Sequence, residues 1–260
     1  FGGNFDVIVG IAMAEIRTGN TDALILCGGL GTRFRVVRED IPKALAPVQG
    51  TPFIDLLLDD LIAQGFSRII LATGHLGDQL ENYVKQRTDA EYVISKEPKT
   101  LGTGGAIKYA EKHFQSSEIL VMNGDSRTNF NFLSLSEFHM QKKADVSILL
   151  SKSTVGLDYG FVELDVNHRL VSFHEKNSLT STSYINSGIY LLNTFLISPI
   201  KLEVNYSLEK DLIPVWIQHN NIFGLTIDKP VFDIGTLERY HKFQEIVDRV
   251  LPTPFKISVK

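Results

Sequence analysis

A single cysteine, Cys27, stands among 260 residues. It can form no intrachain disulfide and cannot build a cysteine-rich zinc site. Charge of one sign is also in short supply. The 26 Lys and Arg against 30 Asp and Glu leave a formal net charge of −4. The basic footprint of a nucleic-acid binder is therefore missing, and no nucleic-acid partner is expected. No apolar run is long enough to span a bilayer, so no membrane partner is expected either. Residues 5–16 are apolar, but no basic stretch precedes them and Glu15 interrupts them. That is not the pattern of a signal peptide, and the expected compartment is the cytoplasm. The seven histidines, His75, His113, His139, His168, His174, His219 and His241, are scattered without metal-ligand spacing, so zinc is not suggested.

What is present is an alternation of two periods. Short β-branched runs at 23–26, 68–72, 92–95, 119–122 and 146–151 read as strands. Between them, 53–64, 76–86, 104–113 and 131–142 carry amphipathic spacing; Phe53, Leu56, Leu57 and Leu61 fall on one helical face. Strand–helix alternation argues for an α/β fold of the Rossmann-like kind, a mostly parallel central sheet with helices on both faces. After Ser151 the runs at 160–164, 170–175 and 185–192 are separated by short turns. They suggest a small antiparallel excursion over one end of the sheet. The chain returns through 222–227 and closes with an amphipathic helix at 237–250. The expected organisation is an N-terminal extension of unassigned role at 1–21, one globular domain at 22–250 and a tail at 251–260. Within the extension, 5–9 could form a strand and 11–17 a short helix. The sequence leaves the oligomeric state open.

The strongest local signal directly follows the first of these strands. Gly28-Gly29-Leu30-Gly31-Thr32-Arg33 is a loop whose glycines let backbone N–H groups approach phosphate oxygens. Thr32 adds a hydroxyl, and Arg33 a planar fork of donors suited to phosphate. Two familiar glycine motifs do not match. The P-loop ends in Gly-Lys-Ser/Thr, and the dinucleotide fingerprint needs a third glycine opening a helix with an acidic residue about 20 positions on. Pro42-Lys43 follows, and Lys43 supplies a compact positive charge.

Together these two segments resemble the signature of the sugar-1-phosphate nucleotidyltransferase family, and within it the heptose- and mannose-1-phosphate guanylyltransferases. The resemblance runs from about Asp22 to about Val250. It implies a Rossmann-like fold, a Mg²⁺ requirement, and a nucleoside triphosphate and a sugar 1-phosphate as substrates. It also implies roles for further residues. The stretch from Glu97 to Ala106, with Leu101, Gly102 and Thr103, is similar to the family's base-binding loop. Nucleotide contacts are implied for Leu26, Gly28, Gly29, Gly31, Thr32, Arg33, Lys43, Glu97, Gly102 and Thr103. Asn123-Gly124-Asp125 resembles the strand end carrying a metal-binding aspartate, and Phe232-Asp233-Ile234-Gly235-Thr236 a segment carrying a second. Gly124, Glu175, Lys176, Asn186 and Glu209 fall where the family holds the sugar phosphate. Arg33, Lys43, Asp125 and Lys176 are the implied catalytic set, and Asp125 and Asp233 the implied metal ligands. One departure is visible: Asn177 stands where proline usually follows Glu-Lys.

The chemistry accounts for these residue types. A sugar-phosphate oxygen, already ionised at neutral pH, attacks the α-phosphorus as pyrophosphate departs. No strong general base is required, so the lack of a Ser/His/Asp or Cys/His set is expected. The obstacle is repulsion between polyanions, which positioning and charge neutralisation overcome. Each residue alone has a plainer role: an aspartate after Asn-Gly is commonly a turn residue, and Lys176 would suit a solvated surface. Their order behind the glycine loop argues for a site. Cys27 reads as a small packed side chain rather than a nucleophile.

Glu97 bears on the base. Guanine offers two adjacent donors that a carboxylate can accept together, whereas uracil and thymine present one N–H between two acceptors. GTP is therefore favoured if Glu97 meets the base. A uridylyl- or thymidylyltransferase, a glycosyltransferase and a silent nucleotide-sugar sensor remain as alternatives. The glycine loop argues against the glycosyltransferase, and the retained charged set against the sensor.

Overall fold

The computed structural model describes residues 18–19, 21–29, 40–152, 160–174 and 184–250, with side chains to residue 247. Gly31, Thr32, Arg33, Glu175 and Lys176 lie outside the described residues, as do the strand and helix expected at 5–9 and 11–17.

Three strands carry the centre. β1 (Thr21–Leu26) lies between β4 (Arg68–Thr73) and β6 (Glu118–Asn123), parallel to both, and β5 (Glu91–Lys96) extends the sheet beyond β4. Their helices are α1 (Phe53–Ala63), α2 (Gly77–Val84) and α3 (Gly102–Ala110). Before α1, the chain forms a single 3₁₀ turn at Lys43–Leu45 and a two-residue ladder of β2 (Pro47–Val48) and β3 (Thr51–Pro52). After β6 come β7 (Ser126–Arg127), α4 (Phe132–Lys142) and β8 (Val146–Ser151). Asn131 caps α4 by accepting the Ser134 N–H at 2.8 Å, as its residue type favours.

Successive strand residues point to opposite faces, which divides the core in two. On one face Ala23, Ile25, Ile69, Leu71, Leu120 and Met122 pack with α1, α2 and α4. On the other, Leu24, Ile70, Ile119 and Val121 pack with α3. Apolar residues on both faces of every central strand are what a doubly covered sheet requires.

The later part differs from the expectation in one respect. β9 (Phe161–Leu164) and β10 (Leu170–His174) form the antiparallel hairpin read from the sequence. β11 (Tyr184–Asn193), however, is no part of a covering flap. It runs antiparallel inside the main sheet, between β6 and β8, while its first two residues pair with β9. The reason is burial: Ile189, Leu191, Tyr190 and Leu192 are all nearly inaccessible, so both faces of this strand need cover. β12 (Ile222–Ile227) then pairs parallel with β8 and completes that edge.

Between β11 and β12 lie a π-helical turn (Leu208–Leu212) and α5 (Ile213–His219), which pack Leu208, Leu212, Ile213 and Trp216 beside α3. The sequence reading assigned neither element. The described residues end through β13 (Phe232–Asp233) and α6 (Leu237–Val250); Tyr240 and Phe243 of α6 join the first core.

Candidate active site

In an open parallel sheet, ligands collect outside the carboxyl ends of the strands, where the order reverses. Here β1 is followed by β4 on one side and β6 on the other, so the reversal falls at the ends of β1 and β6. Cys27–Gly29, Thr73–Gly74, Glu97 and Asn123–Asp125 all emerge at this edge. Leu26 ends β1, and its carbonyl accepts the Gly124 N–H at 3.0 Å. That bond ties the end of β1 to the Asn-Gly-Asp turn.

Glu97 occupies the floor at β1 and β4. Its side chain is 9 % exposed, and Oε2 accepts the Leu101 N–H at 3.2 Å. Oε1 lies where a Cβ on Gly28 or on Gly74 would stand, 2.7 Å from either ideal position. Both glycines are thus the space in which this carboxylate sits. Burial raises the Glu97 pKa to about 7, against the lowering effect of the Leu101 N–H. Among the described residues Oε1 accepts no hydrogen bond, so this carboxylate, held out of water, keeps one oxygen open to a donor.

A second cluster forms across the β6 end. Lys43 Nζ donates to Asp125 Oδ2 at 2.6 Å, and Ser126 Oγ donates to Oδ1 at 3.0 Å. Desolvation would raise the Asp125 pKa, but the Lys43 charge, its hydrogen bond and that of Ser126 hold it below the usual carboxylate range. Asp233, far along the chain, arrives by a two-residue antiparallel ladder in which it faces Ser126 and Phe232 faces Arg127. The Ile234 N–H donates to the Asp125 carbonyl at 2.9 Å and locks the two segments together. A Cβ on Gly235 would stand 3.7 Å from Lys43 Nζ and 2.7 Å from Asp233 Oδ1. Lys43, Asp125 and Asp233 are therefore brought together by the fold.

Three supporting residues escaped the sequence reading. Arg239, in the first turn of α6, donates to Asp233 Oδ1 and Oδ2 at 3.2 and 3.0 Å. A cation at a helix N-terminus opposes the helix dipole, and that misfit was the available signal. Arg127 is 4 % exposed and grips Asp60 of α1 with bonds of 2.7 and 2.8 Å. It anchors the short strand that carries Asp125 at its foot. Tyr190 is wholly buried and lies between two predicted sugar-side residues. Asn186 Nδ2 donates to Tyr190 Oη at 2.6 Å, and Tyr190 Oη donates to Glu209 Oε1 at 3.1 Å.

Glu209 also accepts from Thr103 Oγ1 at 2.8 Å and from Ser207 Oγ at 3.0 Å. Thr103, expected on the nucleotide side, thus reaches the carboxylate expected on the sugar side, while the Leu208 N–H donates to its hydroxyl at 2.7 Å. The start of α3 borders both halves. The Gly104 and Gly105 N–H groups are taken by the Tyr206 carbonyl at 2.8 and 3.2 Å, and the Tyr206 N–H donates to the Leu101 carbonyl at 2.9 Å. These bonds leave Gly102 as the sharp bend into the helix, with φ of +71°. Cys27 sits under Gly124, and burial, with the charge of Asp125, pushes its thiol up to about 12. At neutral pH it is a packed thiol, as expected.

A mostly parallel sheet with Gly28 and Gly29 at its switch point and Asp125 and Asp233 beside them is the arrangement of an α/β enzyme. The chain belongs to the nucleotidyl transferase family, whose model matches residues 22–249, and it catalyses nucleotidyl transfer. It is 32 % identical over 227 residues to a D-glycero-alpha-D-manno-heptose 1-phosphate guanylyltransferase of Aneurinibacillus thermoaerophilus, covering 86 % of this chain and 97 % of that one. It is 30 % identical over 246 residues to a mannose-1-phosphate guanylyltransferase of Mycobacterium tuberculosis, covering 92 % of this chain and 68 % of the relative. Among solved structures, HddC from Yersinia pseudotuberculosis complexed with GMP-PN superposes with a TM-score of 0.78 at 31 % identity, over 87 % of this chain and 99 % of that one. No helix among the described residues is long and apolar enough to cross a membrane.

Proposed function

We propose that the chain transfers GMP from GTP to a manno-configured sugar 1-phosphate, a heptose or mannose, releasing pyrophosphate. The observation that carries this reading is Glu97: a buried carboxylate at the strand ends with one oxygen fixed by Leu101 and the other without a hydrogen bond among the described residues. Guanine's N1–H and N2–H form a donor pair of matching geometry. The similarity to guanylyltransferases and to HddC with GMP-PN supports the same base.

The Asp125–Asp233 pair fits a divalent cation by its chemistry. Both are hard oxygen donors, and no group of three or more His, Cys, Asp or Glu that could hold a metal occurs among the described residues. Mg²⁺ suits such a set, because it takes one or two carboxylates and completes its octahedron with phosphate and water. Bound there, it would neutralise charge on the α-phosphate. Lys43, already beside Asp125, holds the triphosphate. The Lys176 ammonium and the Arg33 guanidinium complete the neutralisation in this proposal, on the sugar phosphate and the triphosphate respectively. Gly124 and Glu175 border the sugar phosphate in the same reading, and Gly28, Gly29, Gly31 and Thr32 the triphosphate. The two substrates meet above β6, between the Glu97 end and the Asn186–Glu209 end.

The test is substrate exchange at Glu97. Glu97→Gln replaces one acceptor oxygen by a donor NH₂ and should lower the GTP/UTP ratio of kcat/KM. A site built around a polar group discriminates because the wrong base leaves buried atoms unpaired. An unchanged ratio would remove Glu97 from base recognition.

A further inference from the structure

The polar chain from Asn186 through Tyr190 to Glu209 has an unusual backbone origin. Asn186 and Tyr190 are four residues apart on one strand, and a regular strand would separate their Cα atoms by about 13 Å. Yet their side chains hydrogen-bond at 2.6 Å. The strand is not regular there. Its pairing with β8 slips between Asn186 and Tyr190. Gly188 takes φ of +75°, and its N–H donates to Asn186 Oδ1 at 3.1 Å. Ser187 Oγ donates to the Leu149 carbonyl at 2.6 Å across the slip. Such irregularities re-aim side chains next to sites. A Cβ on Gly188 would collide with the Asn123 side chain, 2.6 Å from Nδ2, so the irregular segment packs directly on the strand that leads to Asp125.

Tyr190 itself belongs to the apolar core, among Ile148, Leu208 and Leu212. A buried phenol needs a partner for its hydroxyl, and this one has two, both residues proposed to meet the sugar. Burial and the neighbouring Glu209 charge push its pKa well up, so it stays a neutral donor throughout the working range. The direction of each bond is then fixed. Tyr190 gives its one proton to Glu209 Oε1 and accepts from the Asn186 amide. The amide is thereby oriented with Nδ2 inward and Oδ1 on the Gly188 N–H, and the carboxylate is held from the core side.

We infer that Tyr190 is the positioning residue of the sugar subsite: its buried hydroxyl fixes the Asn186 amide and the Glu209 carboxylate in the orientation that receives the sugar hydroxyls. This rests on the proposed reading that Asn186 and Glu209 face the sugar. The mechanism is pre-organisation. Polar groups already locked in place lose little freedom when the sugar binds.

The test is Tyr190→Phe, which keeps every ring atom and removes only the hydroxyl. Pyrophosphate release is measured with D-mannose 1-phosphate and D-glycero-α-D-manno-heptose 1-phosphate, varying sugar phosphate and GTP separately, beside thermal melting of the free protein. The expected result is a rise in sugar-phosphate KM of about tenfold, the scale of one hydrogen bond, with the KM for GTP within about twofold of wild type. A variant that unfolds, or that loses kcat with the sugar-phosphate KM unchanged, would make the hydroxyl structural and overturn the inference. Asn186→Ala and Glu209→Gln separate the two levels. If both raise the sugar-phosphate KM and Tyr190→Phe does not, the inference alone fails. If neither raises it, the placement of the sugar fails with it.

Discussion

Lys43 and Asp125 meet at 2.6 Å, joining the segment that follows the glycine loop to the end of a strand on the far side of β1. The pair does two things at once. It holds the aspartate ionised, and in the proposed function it puts a cation beside the triphosphate. Asp233 stands beside the pair on a ladder only two residues long.

Asp125→Asn keeps size and removes the charge that would hold a divalent ion. Turnover should fall by at least about 100-fold, the scale of one electrostatic group in a transition state, or on the order of 3 kcal/mol. The melting temperature of the free protein should change little by comparison. A steady-state pyrophosphate assay alongside calorimetry checks both, and a variant with full activity would remove Asp125 from the mechanism.

Glu97 should set the acid limb of nucleotide use. Its pKa stands near 7 in the free protein, and only the ionised form accepts both guanine donors. The kcat/KM for GTP should therefore decline as pH falls through about 7, while Asp125, held low, titrates well below that range. In Glu97→Gln the decline should vanish. A wild-type profile flat from pH 6 to 8 would refute this assignment.

The same shift makes a stability prediction of definite sign. A raised carboxyl pKa favours the neutral form, so its stabilisation is present at low pH and is lost as pH rises through about 7. Without nucleotide, Glu97→Gln should melt higher than wild type at pH 8, with the advantage gone near pH 4. The upper scale, from 4.5 to about 7, is on the order of 3 kcal/mol. Melting curves at the two pH values decide it, and equal or inverted differences would contradict it.

Arg127 is the structural anchor of β7, the short strand that follows Asp125. Arg127→Ala leaves Asp60 without its bidentate partner and opens a cavity beside α1. Because Asp60 is partly exposed, the cost should be on the order of 2 kcal/mol, below that of a fully buried pair. Activity should fall as well, because β7 then holds Asp125 and Ser126 less firmly. Urea unfolding with a parallel turnover assay measures both; an unchanged midpoint would show that β7 needs no such anchor.

Much of this was legible in the sequence because its signals are local. Apolar periodicity placed β1, β4, β5, β6 and β8 and helices α1, α2 and α4 close to where they lie. The chemistry-bearing residues followed a recognisable order. What stayed hidden depends on contacts between distant segments. β7 and β13 are two residues each, too short to show a period, and they exist because they pair with one another. The in-sheet position of β11 depends on which strands flank it. Tyr190 drew no reading at all, since nothing in a linear sequence shows a hydroxyl turned towards a carboxylate on a later π-helical turn. Arg127 and Arg239 were hidden likewise, because their partners, Asp60 and Asp233, are fixed only by the fold.

The central claim is guanylyl transfer to a manno-configured sugar 1-phosphate, and one assay addresses it directly. Purified protein is given GTP, ATP, CTP or UTP with D-mannose 1-phosphate, D-glycero-α-D-manno-heptose 1-phosphate or D-glucose 1-phosphate, with Mg²⁺ or with chelator, and pyrophosphate is measured. The account predicts release that requires Mg²⁺, is fastest with GTP, and is faster with one of the two manno-configured substrates than with the gluco one. Preference for UTP, or equal release in chelator, would contradict it.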